Sequence, residues 1–113
     1  MHEVGLMESA LQAALDCAAR RGAGRIHRMT LRVGSLSGVV PEALAFAFAA
    51  VTAGTAAEGA RLEIEEVQVV CRCPDCGREF APPDVVFECP GCGRLSGDVR
   101  QGRELELASL EVS

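Results

Sequence analysis

Four of the six cysteines stand in two matched clusters, Cys73-Pro74-Asp75-Cys76-Gly77 and Cys89-Pro90-Gly91-Cys92-Gly93, with twelve residues between Cys76 and Cys89. Each C-P-x-C-G unit reads as a tight turn that presents two thiolates to one ion. Proline fixes φ early in the turn, and the trailing glycine takes the positive φ that aims backbone N–H groups at sulfur. Two such turns complete a tetrahedral S4 shell, the donor set of zinc or of a single iron. Cys71 lies next but one to Cys73 and reads as a near neighbour of the site, because four ligands already close a structural zinc shell. Cys17 falls beside the apolar stripe of a predicted helix, where a small buried thiol fits.

A second group of donors stands at the start of the chain. The α-amine of Met1, the following backbone amide nitrogens and the His2 imidazole can lie in one plane around a small divalent ion. Nickel(II) and copper(II) prefer such tetragonal nitrogen ligation. An unperturbed α-amine has a pKa of about 8 and an unperturbed imidazole one of about 6.5, so modest proton loss opens such donors at neutral pH. A histidine at position two is, by itself, more often an ordinary terminal residue. His27 reads simply as a strand residue.

Composition narrows the function classes. A chain of 113 residues is one domain, or one small domain with a metal-stapled appendage. Hydrophobic residues make up 49%, and four phenylalanines are the only aromatics, so the core must be aliphatic. The formal net charge of −5 argues against nucleic acid as a partner. All 11 basic residues are arginine, which excludes a P-loop lysine, a Schiff base and a lysine general base. No run approaches the roughly 20 apolar residues that span a bilayer, and the start has no signal-peptide core. The expectation is a cytoplasmic protein, where paired cysteines mean metal more often than disulfide.

The elements that must position these groups follow from periodicity. Val4, Met7, Leu11, Ala14 and Ala18 recur at helical spacing over the first twenty residues, and Gly22 ends that helix. Arg25 to Val33 alternate as a strand, with Met29, Leu31 and Val33 on one face. Gly34 to Gly38 form a loop, and Pro41 opens a second helix carrying Leu44, Phe48 and Val51 inward toward a stop near Gly54. Arg61 to Val70 read as a strand whose apolar phase changes, predicting a bulge or bend at Glu65-Glu66. Pro82-Pro83 interrupts the arm between the cysteine turns, and Val85-Val86-Phe87 leads back to the second. Glu104 to Val112 form a last strand with a phase slip near Ala108-Ser109. The predicted fold is α/β of the α+β type: two helices on a three-stranded sheet, with a zinc-ribbon module inserted before the last strand. The predicted division is 1–70 plus 103–113 for the body and 71–102 for the ribbon.

Met1-His2-Glu3, the N-terminal helix, the Gly34-Ser35-Leu36 turn and the four ribbon cysteines together resemble the HypA/HybF family of nickel metallochaperones over essentially the whole chain. That family helps mature nickel–iron hydrogenases and, in some bacteria, urease. The resemblance implies a non-enzymatic carrier with nickel(II) as cargo at Met1, His2 and Glu3, and structural zinc(II) on Cys73, Cys76, Cys89 and Cys92. It also implies a HypB-type GTPase partner and delivery to a hydrogenase large-subunit precursor, with urease accessory proteins as an alternative route. Monomer and homodimer both fit. Three rivals come from the ribbon alone. A nucleic-acid adaptor is opposed by five arginines matched by five acids between Cys71 and Arg103. A rubredoxin-like iron carrier would be coloured. A zinc hydrolase needs an open coordination position that four cysteines do not leave.

Overall fold

The computed structural model describes residues 2–82, 87–95 and 98–113, with His2 described by its backbone. Pro83, Val85 and Val86, part of the expected arm, lie outside the described residues.

The first helix, α1, spans His2–Arg20. Met7, Leu11, Ala14 and Ala18 are buried along one stripe, as their spacing requires. Glu3 lies in its first turn and Arg20 in its last, each matched to the helix dipole. Gly22, at φ 69°, turns the chain out of the helix. Strand β1 (Ile26–Gly34) follows and then α2 (Pro41–Thr52), which has proline at its start. Leu44, Ala47, Phe48 and Thr52 of α2 are buried, and Val51 packs against the same core.

Strand β2 (Arg61–Val67) pairs parallel with β1, and β6 (Leu105–Val112) pairs antiparallel with it, giving the order β2-β1-β6. A parallel pair requires a crossover, and α2 supplies it between β1 and β2. Met29, Leu31 and Val33 face the helices and are nearly inaccessible. The opposite face carries a charge ladder. Arg28 lies between Glu63 and Glu111 at 3.9 and 3.8 Å, and Arg32 between Glu65 and Glu106 at 3.2 and 2.9 Å. These pairs are largely solvent-screened, so each contributes little to stability. Their main effect is to keep one sheet face wet and the other dry.

A second small sheet, order β4-β3-β5, carries the ribbon on β3 (Val70–Arg72), β4 (Glu79–Phe80) and β5 (Val99–Gln101). Here one expectation is corrected. No bulge occurs at Glu65-Glu66: β2 keeps unbroken register with β1 from Arg61 to Val67. The apolar phase changes because the chain leaves the first sheet after Val67 and enters the second at Val70. Val69, Cys71 and Cys73 therefore face a separate apolar cluster with Phe80, Phe87, Cys89 and Val99. The slip in β6 is present. Thr30 pairs with Ser109 and Leu31 with Leu107, leaving Ala108 as the extra residue.

The two sheets meet where three backbones crowd together. A Cβ on Gly34 would lie 2.1 Å from the Gly102 carbonyl oxygen, and one on Gly102 would lie 2.8 Å from Val69 Cα. Gly102 also has φ +117°, which side chains rarely adopt. The loop after β1 is tied to both stems: the Ser35 N–H donates to Val67 O at 2.9 Å and the Leu36 N–H to Gly102 O at 2.7 Å. Among the described residues, no helix is long and apolar enough to cross a membrane.

Gly34→Ala is expected to destabilise the zinc-loaded protein by more than about 2 kcal/mol, since backbone must move to admit the methyl group. Gly5→Ala, whose Cβ would meet open space on α1, should instead stabilise it by about 0.8 kcal/mol. Urea denaturation of the two variants beside wild type measures both.

Candidate metal centre

Each cysteine turn is closed by the same pair of backbone hydrogen bonds. The Cys73 N–H donates to Arg78 O at 2.8 Å and the Gly77 N–H to Cys73 O at 2.9 Å. In the second turn the Cys89 N–H donates to Arg94 O at 2.9 Å and the Gly93 N–H to Cys89 O at 2.8 Å. Gly77 and Gly93 have φ values of 73° and 74°, the conformation their position in the motif demands. The turns are thus two copies of one local structure, facing each other.

Together they bring all four Sγ atoms within 4.8 Å of one another. Cys73 and Cys92 sulfurs are 3.4 Å apart, and those of Cys76 and Cys89 3.6 Å. Sulfurs at the vertices of a tetrahedron with zinc–sulfur bonds of about 2.3 Å would stand roughly 3.8 Å apart, so the cluster needs only slight expansion to fit the ion. The donor set and its closure fit zinc. Cys73 and Cys89 are buried, whereas Cys76 and Cys92 are exposed. Cys71 is also buried but is not among the convergent sulfurs. Burial pushes its thiol upward, as expected for a core residue beside the site.

The protons on the four sulfurs are arranged by backbone dipoles. The Cys76 N–H, followed by burial in the opposing direction and the Asp75 N–H, leaves Cys73 lowered to about 7. Burial works against the Cys89 thiolate, but N–H groups of Cys92 and Gly91 outweigh it and hold that thiol down. One of these donors, the Gly91 N–H, lies 3.4 Å from Cys89 Sγ. Cys92 has the Arg94 N–H favouring its thiolate, yet sharing its proton with Cys73, together with burial, pushes it up to about 11. Cys76 is likewise raised: the Arg78 N–H favours its thiolate, but hydrogen bonding to Cys73 and Cys89 prevails. The buried sulfurs are thus the first to ionise, and the exposed sulfurs are the ones that hold their protons longest against a metal.

Two residues of this centre escaped the sequence reading. The repeat extends one position further, to Arg78 and Arg94, and each arginine reaches across to the other turn. Arg94 pairs with Asp75 at 3.1 Å, while the Arg78 guanidinium lies over Gly91, where a Cβ would come within 2.8 Å of it. The doubled C-P-x-C-G-R run was the available signal. At the other end of the chain, the Met1 amine and the His2 imidazole lie outside the described residues. Glu3 is in the first turn of α1.

The geometry defines a small metal-handling protein: a mixed α/β body bearing a tetrathiolate ribbon on two stems, with no nucleotide-binding lysine. The chain matches the family described as "Hydrogenase/urease nickel incorporation, metallochaperone, hypA" over residues 1–112. A hydrogenase maturation factor HypA from Picosynechococcus sp. is 52% identical over 112 residues, covering 99% of both chains. The corresponding factor of Chloroflexus aurantiacus is 46% identical over 98% of both. The solution structure of the nickel metallochaperone HypA from Helicobacter pylori shares the fold, with a TM-score of 0.69 at 24% identity over 97% of this chain and 96% of that one. This chain belongs to the HypA family of nickel metallochaperones.

Lowering the pH from 9 to 7 is expected to weaken zinc binding by roughly a hundredfold per unit, since each ion bound must displace about two thiol protons, those of Cys76 and Cys92. Below about 7 the fall should steepen as Cys73 also protonates. Competition with a chromophoric chelator across this range gives the slope.

Proposed function

We propose that this chain accepts nickel(II) at its N-terminus and carries it to a nickel–iron hydrogenase large-subunit precursor. Met1 supplies the α-amine, His2 the imidazole, and the backbone amides of His2 and Glu3 complete a planar nitrogen set. The Glu3 carboxylate steers the acceptor or the outer ligand sphere. The observation that carries this reading is the start of α1 at His2. The hydrogen-bond ladder of an α-helix makes no use of the amide groups of its first turn, which is where this motif puts its nitrogens. A terminal site of this kind loses its ligands one at a time as an acceptor takes over, which suits cargo rather than a resident ion.

The four ribbon cysteines hold zinc(II) structurally. Among the described residues, the cluster around them contains few apolar residues besides the cysteines, so the metal would supply much of its folding energy. On this reading the chain divides into a nickel-binding body, residues 1–70 plus 103–113, and a zinc-binding module, residues 71–102. The two are coupled through the stems. Leu105 follows the returning stem and lines a hollow with Leu6 and Ala10 of α1, so a shift of the ribbon is felt by the helix that carries the nickel donors. Without lysine or a phosphate-binding glycine loop, the chain depends on a separate GTPase of the HypB type for nucleotide-driven release. Cysteines that hold metal rather than form disulfides suit a reducing compartment, so the cytoplasm is the proposed site of this work.

Metal stoichiometry on untagged protein tests the reading. Wild type should bind one nickel and one zinc. His2→Ala, and a variant with one extra N-terminal residue, should each lose nickel and keep zinc. Nickel affinity should fall as pH drops from 7.5 to 5.5, because protons compete for amine and imidazole. Nickel binding that survives both changes, or is flat across that pH range, overturns the N-terminal site.

A further inference from the structure

Among the described residues strand β6 is an edge: its one neighbour in the sheet is β1. Its ends are oriented by known bonds, since the Gly34 N–H donates to Glu104 O at 2.7 Å and the Ser113 N–H to Arg25 O at 3.0 Å. Backbone direction alternates along an antiparallel strand, and the extra residue at Ala108 resets the alternation once. Leu105, Leu107, Leu110 and Val112 therefore turn their N–H and C=O groups away from β1, toward the open edge. All four side chains are apolar and only partly covered, Leu105 remaining 37% exposed.

Beside this edge runs an apolar trough. Two hollows, of about 370 and 260 Å³, adjoin along β6 and share Leu107. Their far wall is a second stripe of α1, made of Leu6, Ala10, Ala13 and Cys17, displaced from the stripe that enters the core. The edge thus offers unpaired backbone groups together with space for alternate apolar side chains, the two requirements for adding a strand.

The order of residues along β6 selects the occupant. Leu105-Glu106-Leu107-Ala108 is followed by Ser109-Leu110-Glu111-Val112, which reads the same in chemical type from either end. We propose that β6 pairs antiparallel with β6 of a second copy of this chain about a two-fold axis between Ala108 and Ser109. In that register Leu105 faces Val112 of the second copy and Leu107 faces its Leu110. These are the residues whose backbone groups are free on both strands, so the hydrogen-bonding pattern and the palindrome agree. Each copy inserts its apolar row into the trough beneath the α1 of the other. On the wet face Glu106 meets Glu111 of the second copy. Both carboxylates are already held within their own chain, by Arg32 at 2.9 Å and Arg28 at 3.8 Å, which offsets their repulsion. The result is a closed, isologous contact and one six-stranded sheet.

Sedimentation of zinc-loaded wild type across a concentration series, with amide hydrogen exchange read by NMR, tests this pairing. Reversible dimerisation should appear together with slowed exchange at Leu107 and Leu110. Ala108→Lys and Ala108→Glu each place like charges beside the axis and should weaken association by about tenfold or more. Mixing the two variants should restore it, and zinc content and helicity should be unchanged throughout. A wild type that remains monomeric overturns the proposal. So does a dimer without protection of those amides, or one indifferent to the charge variants. Protection that appears only on adding a peptide from the hydrogenase precursor assigns the edge to a foreign strand and also overturns self-pairing.

Discussion

Three stretches of backbone pass through one small volume: the end of β1 at Gly34, the outgoing stem at Val69 and the returning stem at Gly102. The separations leave no room for a Cβ on either glycine. Everything about how the ribbon is carried depends on this crossing. Two stems leaving a sheet from adjacent positions would otherwise swing about a pair of single bonds. Here the loop after β1 donates one N–H to each stem, and Gln101 adds a side-chain amide bond to Gln68 O at 3.0 Å. The same loop leads into α2, so the packing of the body and the bearing of the ribbon share one set of hydrogen bonds.

The body itself is held by ordinary means. Small and aliphatic residues let α1 and α2 sit close to the sheet, and alternation on β1 separates dry from wet faces without any aromatic centrepiece except Phe48. The second cluster is different in kind. Among the described residues, three of its four buried members are cysteines, so its interior is as much a ligand set as a core. At the ribbon, accordingly, backbone N–H groups help decide which sulfurs ionise first.

Much of this was legible from residue order because local rules and tertiary packing agree. Met7, Leu11, Ala14 and Ala18 sit at one helical spacing and are all buried, and Pro41 and Gly22 act where their backbone preferences are strongest. The four cysteines announce convergence through spacing alone. The change of phase after Ile64 had two physical solutions, a bulge within one sheet or a passage between two. Only strand pairing distinguishes them, and pairing is not a local property. The cross-turn contacts of Arg78 and Arg94 were hidden for a similar reason, since each depends on a turn more than a dozen residues away. The donor set at Met1-His2-Glu3 is of another kind, since its chemistry is read from the order of residues alone.

The unequal exposure of the four sulfurs gives the ribbon a front and a back. One thiolate of each turn, Cys76 and Cys92, looks outward, while Cys73 and Cys89 are sealed behind them and cradled by N–H dipoles. A chelator or thiol competing for an ion held here would meet the outward pair first, one sulfur from each turn. Exchange would then be ordered in space. The ion would come and go across a single solvent-facing edge, with the inner sulfurs as its least accessible ligands.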